Sequence, residues 1–242
     1  MTSILKTNAI EPQSGSTLTI GNSGQDVVIG ADSIKNNVMK DAGGNAIFTS
    51  NGSGVLSSVN SGFGSAMVLI NTLNSSSSAY LEFTSGIDST YKAYQFKFYT
   101  LHPQTDQASF EWQVSSDGGS SYGMTITSTG FWGYNNDSNS GAFQYATQLQ
   151  QAQATGYQRL GYLTGNENTK IMSGDLLLFN PASTTYIKNF MGLGVNYEHQ
   201  DTMQNSFTAG YVNVASPAIN AIRFKFSTGN IDSGKIKMYG IK

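Results

Sequence analysis

The chain has 242 residues with thirteen basic and fifteen acidic side chains, a formal net charge of −2, and no cysteine. Charged residues are only 12% of it, about half the usual share of a soluble domain; this excludes a fold of long Glu- and Lys-clad helices, and the missing thiols exclude a disulfide framework and Cys-ligated zinc. A near-neutral chain exerts no long-range pull on polyanions, which argues against a nucleic-acid partner, and no apolar run approaches the roughly eighteen residues of a membrane span.

The first ten residues carry no apolar stretch behind a basic start, so they are not read as a secretion signal. Residues 1 to 60 hold short apolar triplets such as Leu18-Thr19-Ile20-Gly21 and Val28-Ile29-Gly30, whose glycines stand nine residues apart. Residues 42–54 repeat the grammar of a short strand and a Gly turn without the strict period. No segment here can close a core by itself. One reading is a flexible linker; the regular Ile and Val spacing favours the other, a short-strand trimeric shaft that buries its apolar residues between chains. The polar, Gly-bearing stretch Ser57-Ser58-Val59-Asn60-Ser61-Gly62 marks the boundary between residues 1–60 and 61–242.

Beyond it, alternation becomes clear. Tyr94-Gln95-Phe96-Lys97-Phe98, Phe110-Glu111-Trp112-Gln113-Val114, Ile222-Arg223-Phe224-Lys225-Phe226 and Ile236-Lys237-Met238-Tyr239 each alternate apolar with polar, as half-buried antiparallel strands do. Asp117-Gly118 between the second of these and Met124-Thr125-Ile126-Thr127 predicts a tight hairpin. Residues 143–153, rich in Ala and Gln, fit helix and strand equally. Asp175-Leu176-Leu177-Leu178-Phe179, ended by Asn180-Pro181, predicts a central strand covered on both faces. Seven or more such strands joined by Gly-, Ser- and Asn-rich turns predict an all-β fold, an antiparallel β-sandwich of jelly-roll type over residues 61–242.

Chemistry-bearing residues are sparse. His102 precedes Pro103 in a loop, and His199 lies between Glu198 and Asp201, where it is either a metal ligand or general base, or simply a solvated ring. A glycosidase needs two carboxylates a few ångströms apart. The acids outside obvious turns are Glu82, Asp88, Asp106, Glu111, Glu167, Asp175 and Glu198, and no spacing pairs them; Glu111 is read as a surface charge on the polar face of its strand. There is no complete phosphate-binding Gly-Lys-Ser/Thr loop and no His-Glu-x-x-His. Residues 135–141 alternate oxygen donors but lack the closing Glu of a calcium loop. No enzyme activity, cofactor or metal is therefore expected. Trp132 and Tyr134, next to Asn135 and Asp137, form a candidate glycan contact of aromatic faces beside amides and a carboxylate; the alternative is that the rings are core.

Three stretches carry a resemblance: Ile4-Leu5-Lys6-Thr7-Asn8-Ala9-Ile10-Glu11-Pro12 with the following Gly15-Ser16-Thr17-Leu18-Thr19-Ile20-Gly21; Gln113-Val114-Ser115-Ser116-Asp117-Gly118-Gly119-Ser120-Ser121-Tyr122-Gly123; and the ending from Phe226 to Ile241. Together they resemble virion proteins of marine bacteriophages, cyanophages and pelagiphages, of the tail-fibre and structural class. The resemblance implies a particle-surface protein, assembled in the bacterial cytoplasm as a homotrimer, with no catalytic residues. The expected function is a tail-fibre subunit held to a tail adaptor or other virion proteins through residues 1–60 and presenting its sandwich to host surface glycan. A carbohydrate-binding module around Trp132 and Tyr134, and a head-decoration or tail accessory protein, are the competing expectations.

Overall fold

The computed structural model describes residues 38–41, 43–50, 52–53, 56–59 and 66–242; the shaft triplets at 18–21 and 28–30 and the motif at 4–12 lie outside the described residues. The chain divides into two compact units, Met1–Phe63 and Gly64–Lys242.

In the first unit, β1 (Val38–Lys40), β2 (Ala46–Ser50) and β3 (Leu56–Val59) form a three-stranded antiparallel sheet in that order. The turn between β1 and β2 is built by Asp41, whose carboxylate accepts the Asn45 amide at 2.8 Å, and by Gly44 at φ +82°, a conformation that suits glycine. Met39, Leu56 and Val59 are exposed. A three-stranded sheet of such short strands has too little area to cover them.

The second unit is a sandwich of two antiparallel sheets. Its strands are β4 (Met67–Ser78), β5 (Leu81–Phe83), β6 (Ala93–Pro103), β7 (Phe110–Ser115), β8 (Ile126–Asn136), β9 (Gly141–Tyr145), β10 (Gln151–Ala154), β11 (Gln158–Arg159), β12 (Met172–Phe179), β13 (Lys188–Tyr197), β14 (Thr202–Val212), β15 (Ala221–Phe226) and β16 (Ile231–Ile241). The large sheet runs β10-β8-β14-β13-β12-β6-β16-β4, with β9 also paired to β8; the small one runs β11-β7-β15-β5. The expected alternation holds in β6, β15 and β16, which point Tyr94, Phe96, Phe98, Ile222, Phe224, Phe226, Ile236 and Met238 into the space between the sheets.

That space is largely aromatic. Phe224 of the small sheet lies 5.4 Å from Phe96 and 5.2 Å from Phe98 of the large one, and 6.0 Å from Phe110 beside it, while Trp112 meets Phe190 edge-on at 4.9 Å. The Phe224–Phe110 pair is stacked and the others are tilted or edge-on; such offset and edge-on contacts suit ring quadrupoles and add to the hydrophobic gain of burial.

Four expectations change. β7 is buried on both faces, not half-buried: Gln113 is fully covered because its amide donates to the carbonyls of Met124, Thr155 and Gly156, which places the 124–125 and 154–157 segments over it. Glu111 is accordingly not a surface charge; it is buried, 3.5 Å from Lys225 Nζ, and burial pushes its carboxyl above the usual range against the pull of Lys225 and Arg159. The Asp117-Gly118 turn forms, with Gly118 and Gly119 at φ +72° and +92°, yet it makes no hairpin. It leads from β7 in the small sheet to β8 in the large one, so turn chemistry was legible and strand partner was not. β12 is central by pairing, between β13 and β6, but only Met172, Leu176 and Leu178 are buried, whereas Asp175, Leu177 and Phe179 are half-covered on the outer side. Residues 143–153, open between helix and strand in the sequence, take strand, one 3-10 turn and strand.

Candidate functional site

The large sheet is wider than the small one. Past β13, its inner face runs from the core to a second, smaller apolar cluster of Trp132, Ala146 and Leu149, against which Tyr134 and Tyr162 pack. Period-2 alternation puts Trp132 and Tyr134 on this inner face, opposite Ser206 and Gln204 of β14. The segment 160–165 lies directly over it. It can come so close because β13 reads Met191-Gly192-Leu193-Gly194-Val195: a Cβ on Gly192 would collide with the Leu160 side chain, and one on Gly194 with the Leu160 carbonyl oxygen.

The segment is then laced in place. Buried Asn196 donates its amide to the Tyr162 carbonyl at 3.0 Å, the His199 amide donates to Leu163 O at 3.1 Å, and the Gly165 amide to Tyr197 O at 3.2 Å. Tyr162 thereby stacks on Trp132, with ring centroids 5.3 Å apart and planes at 23°.

Between these elements opens a groove of about 230 Å³. Trp132 forms part of its lining and is only 5% exposed, while Tyr134 and Tyr162 are the more accessible rings; Gln144, Glu198, Gln200, Thr202 and Gln204 supply the polar lining. Glu198 is partly engaged: one carboxylate oxygen lies 2.7 Å from His199 Nδ1 and the other accepts the Gln200 amide at 3.1 Å. The indole Nε1 of Trp132 is buried with no hydrogen-bond partner.

The four residues singled out from sequence separate here. Trp132 and Tyr134 line the groove, but Asn135 and Asp137 open onto a different cavity of about 440 Å³, lined also by Val195, Tyr197, Asp201 and Met203. The physical reason is the strand itself: adjacent residues face opposite sides of a sheet. The amides and carboxylate that do accompany the rings come from β9, β14 and the turn before β14, and the third ring from the 160–165 segment. The signal for that ring lay in the Gly-x-Gly of β13, which announces a close backbone approach.

Most of the other candidates lie against neighbours of their own. His102 Nδ1 lies 3.4 Å from Asp232 and its Nε2 3.2 Å from the Glu167 carbonyl. Glu82 pairs with Arg223, Glu167 with Lys170 at 3.1 Å, and Asp175 accepts from Gln95 at 3.2 Å. Asp88 caps a local turn through the Thr90 amide at 2.8 Å. In the 135–141 loop, Asn136 Oδ1 is used as acceptor for the amides of Ser138 and Ser140, closing the β8–β9 turn. Among the described residues, no group of three or more His, Asp and Glu side chains converges as metal ligands. Gly119-Ser120-Ser121-Tyr122-Gly123 has the Gly-x-Ser-x-Gly spacing of a hydrolase nucleophile turn, which sequence reading missed. Its Ser121 hydroxyl donates to Asp117 at 2.5 Å, and the segment leads into a strand rather than a helix.

No protein-family model, curated protein or solved structure matches this chain.

Proposed function

We propose that the chain is a bacteriophage virion structural protein, a tail-fibre subunit that works as a homotrimer and presents its sandwich at the particle surface. Residues 1–60 anchor it to a tail adaptor or another virion protein. The observation that carries the reading is the outer face of the large sheet. Across β9, β8, β14 and β13, Tyr145, Phe131, Phe207 and Leu193 stand in register, and Phe143, Met191, Val195 and Met203 beside them are exposed, Phe143 to 72%. The same row turns charged further along, at Asp175, Lys97 and Lys237.

An apolar half-face of this extent is unusual on a monomer and marks an association surface. A second copy of this chain is the occupant we assign, because residues of the first unit such as Leu56 and Val59 also leave apolar side chains uncovered. The three stretches resembling phage fibres and the surface rich in hydroxyls and amides support the same reading. The repeated passage of the chain between sheets, from β4 through β5, β6 and β7 to β8, favours jelly-roll topology.

Light scattering on the full chain tests this: a trimer at micromolar concentration is expected, and Phe131→Lys with Met191→Lys should shift it toward monomer. A wild-type monomer overturns the homotrimer. Particle maps that leave the subunit out of the virion overturn the structural role.

A further inference from the structure

We propose that the groove over Trp132 binds a single neutral sugar ring, with Tyr134 and Tyr162 contacting its C–H faces and the surrounding amides its hydroxyls. The inference does not depend on the virion role, since it concerns only what the groove is built to hold.

Three observations carry it. The first is the pairing of chemistries. The Gln204 side-chain oxygen already accepts from Ser206 at 3.3 Å, but an apolar ligand would cover the amides of Gln144 and Gln200 and give them nothing to bond, and desolvated amides are costly to leave unpaired. An anion would be repelled by the Glu198 carboxylate, and a cation would find only that one carboxylate, whose two oxygens already face His199 Nδ1 and the Gln200 amide. A sugar ring has both surfaces, a C–H face that packs on aromatic rings and a hydroxyl rim that donates to and accepts from amides.

The second is the Trp132 indole. Buried polar atoms in native proteins almost always have partners, and one that does not calls for an explanation. Trp132 is more than nine-tenths buried, lines the groove, and has an Nε1 with no acceptor in the protein. In the proposed bound state a ligand hydroxyl oxygen is its acceptor.

The third is preorganisation. Tyr162 is fixed by its stack on Trp132 and by the Asn196 bond to its own carbonyl, so the rings are ordered before anything binds. That lowers the entropic cost of association. The volume of about 230 Å³ falls below the range of drug-sized pockets and suits one ring, with any attached chain leaving through the open side.

Free sugar and the terminal residue of a surface polysaccharide share this chemistry. The test uses the full chain and saturation-transfer NMR with the methyl glycosides of glucose, galactose, mannose and N-acetylglucosamine, then titration of each binder alone and as the terminal residue of an oligosaccharide. At least one glycoside should bind with a Kd of about 1–10 mM. Tyr134→Ala and Gln144→Ala should weaken it tenfold or more at unchanged Tm. Trp132→Phe, which keeps a ring and removes the N–H, should weaken it in a protein that still folds. Asn135→Ala, on the opposite face, should leave it unchanged. Binding of both forms assigns a chain-end site, and binding of the glycoside alone a free-sugar site. If none of the four glycosides binds at about 50 mM, or if binding survives Tyr134→Ala in folded protein, the assignment is overturned.

Discussion

The Nζ of Lys188 lies 2.6 Å from the carbonyl oxygen of Ala215, and the carbonyls of Val214 and Pro217 accept from the same ammonium at 2.7 and 3.3 Å. The side chain is fully buried, with no carboxylate among these partners. One cation at the start of β13 thus gathers three backbone acceptors of the loop that leads from β14 to β15.

Replacing Lys188 with Met keeps the apolar stem and strands the three carbonyls. Each buried acceptor left unpaired costs about 1–3 kcal/mol unless the loop opens to water, so we expect a loss of about 2–4 kcal/mol in urea unfolding. Amide exchange in residues 213–220 should rise with it. Wild-type stability in Lys188→Met would show that the loop is held by other contacts.

The Asp117 turn predicts an acid limb of the stability curve. Hydrogen bonds from the hydroxyls of Ser115 and Ser121, and from the Ser121 amide, hold the Asp117 carboxyl at about 2, against 3.8 for a free aspartate. The folded value is the lower one, so the contribution is fully present above pH 3.8 and is lost as pH falls through about 2. Asp117→Asn should lower stability at neutral pH and flatten the pH dependence between 4 and 2. A carbon-detected NMR titration of Asp117 giving an ordinary midpoint would remove the basis of this expectation.

Gly194→Ala tests how the groove wall is set. The new Cβ meets a backbone oxygen, that of Leu160, which cannot rotate away as a side chain would. Overpacking of this kind costs about 1–3 kcal/mol. Because Tyr162 is two residues from the collision, its stack on Trp132 should loosen, and Trp fluorescence should shift toward that of a more solvated indole. Unaltered emission together with unaltered stability would mean that the segment is not seated where it stands.

Phe224 and Phe143 make a contrasting pair. Phe224 touches Phe83, Phe96, Phe98 and Phe110 in the dry centre, and its replacement by Ala should cost about 3–5 kcal/mol. Phe143 is 72% exposed on the outer face. Its replacement by Ser should change stability by less than about 0.5 kcal/mol while weakening self-association under the trimer reading. Equal effects on unfolding would contradict the placement of the two rings.

Much of this fold is local information. Tyr94, Phe96 and Phe98, or Ile222, Phe224 and Phe226, announce an inward face by spacing alone, and Asp117-Gly118 announces a turn. Pairing is not local, so nothing in the turn said that β8 would join the other sheet, and nothing in Glu111 or Gln113 said that later segments would cover them. The groove divides along the same line. Trp132 and Tyr134 could be read as a pair because they share a strand face, and the same rule sends Asn135 to the opposite side. Tyr162, Glu198 and Gln204 arrive through long-range contacts, for which the two glycines of β13 were the one written hint.

The place of β16, between β6 and β4 in the large sheet, orders events during synthesis. Among the described residues β4 has no partner in that sheet other than β16, so residues 67–78 leave the ribosome long before the strand they pair with, residues 231–241, has been made. At the usual elongation rate of about 5–20 residues per second, the roughly 150 intervening residues take on the order of ten seconds. During that interval β4 is an open edge beside other nascent copies on the same message. Closure of the large sheet at this edge therefore waits for the emergence of residue 241.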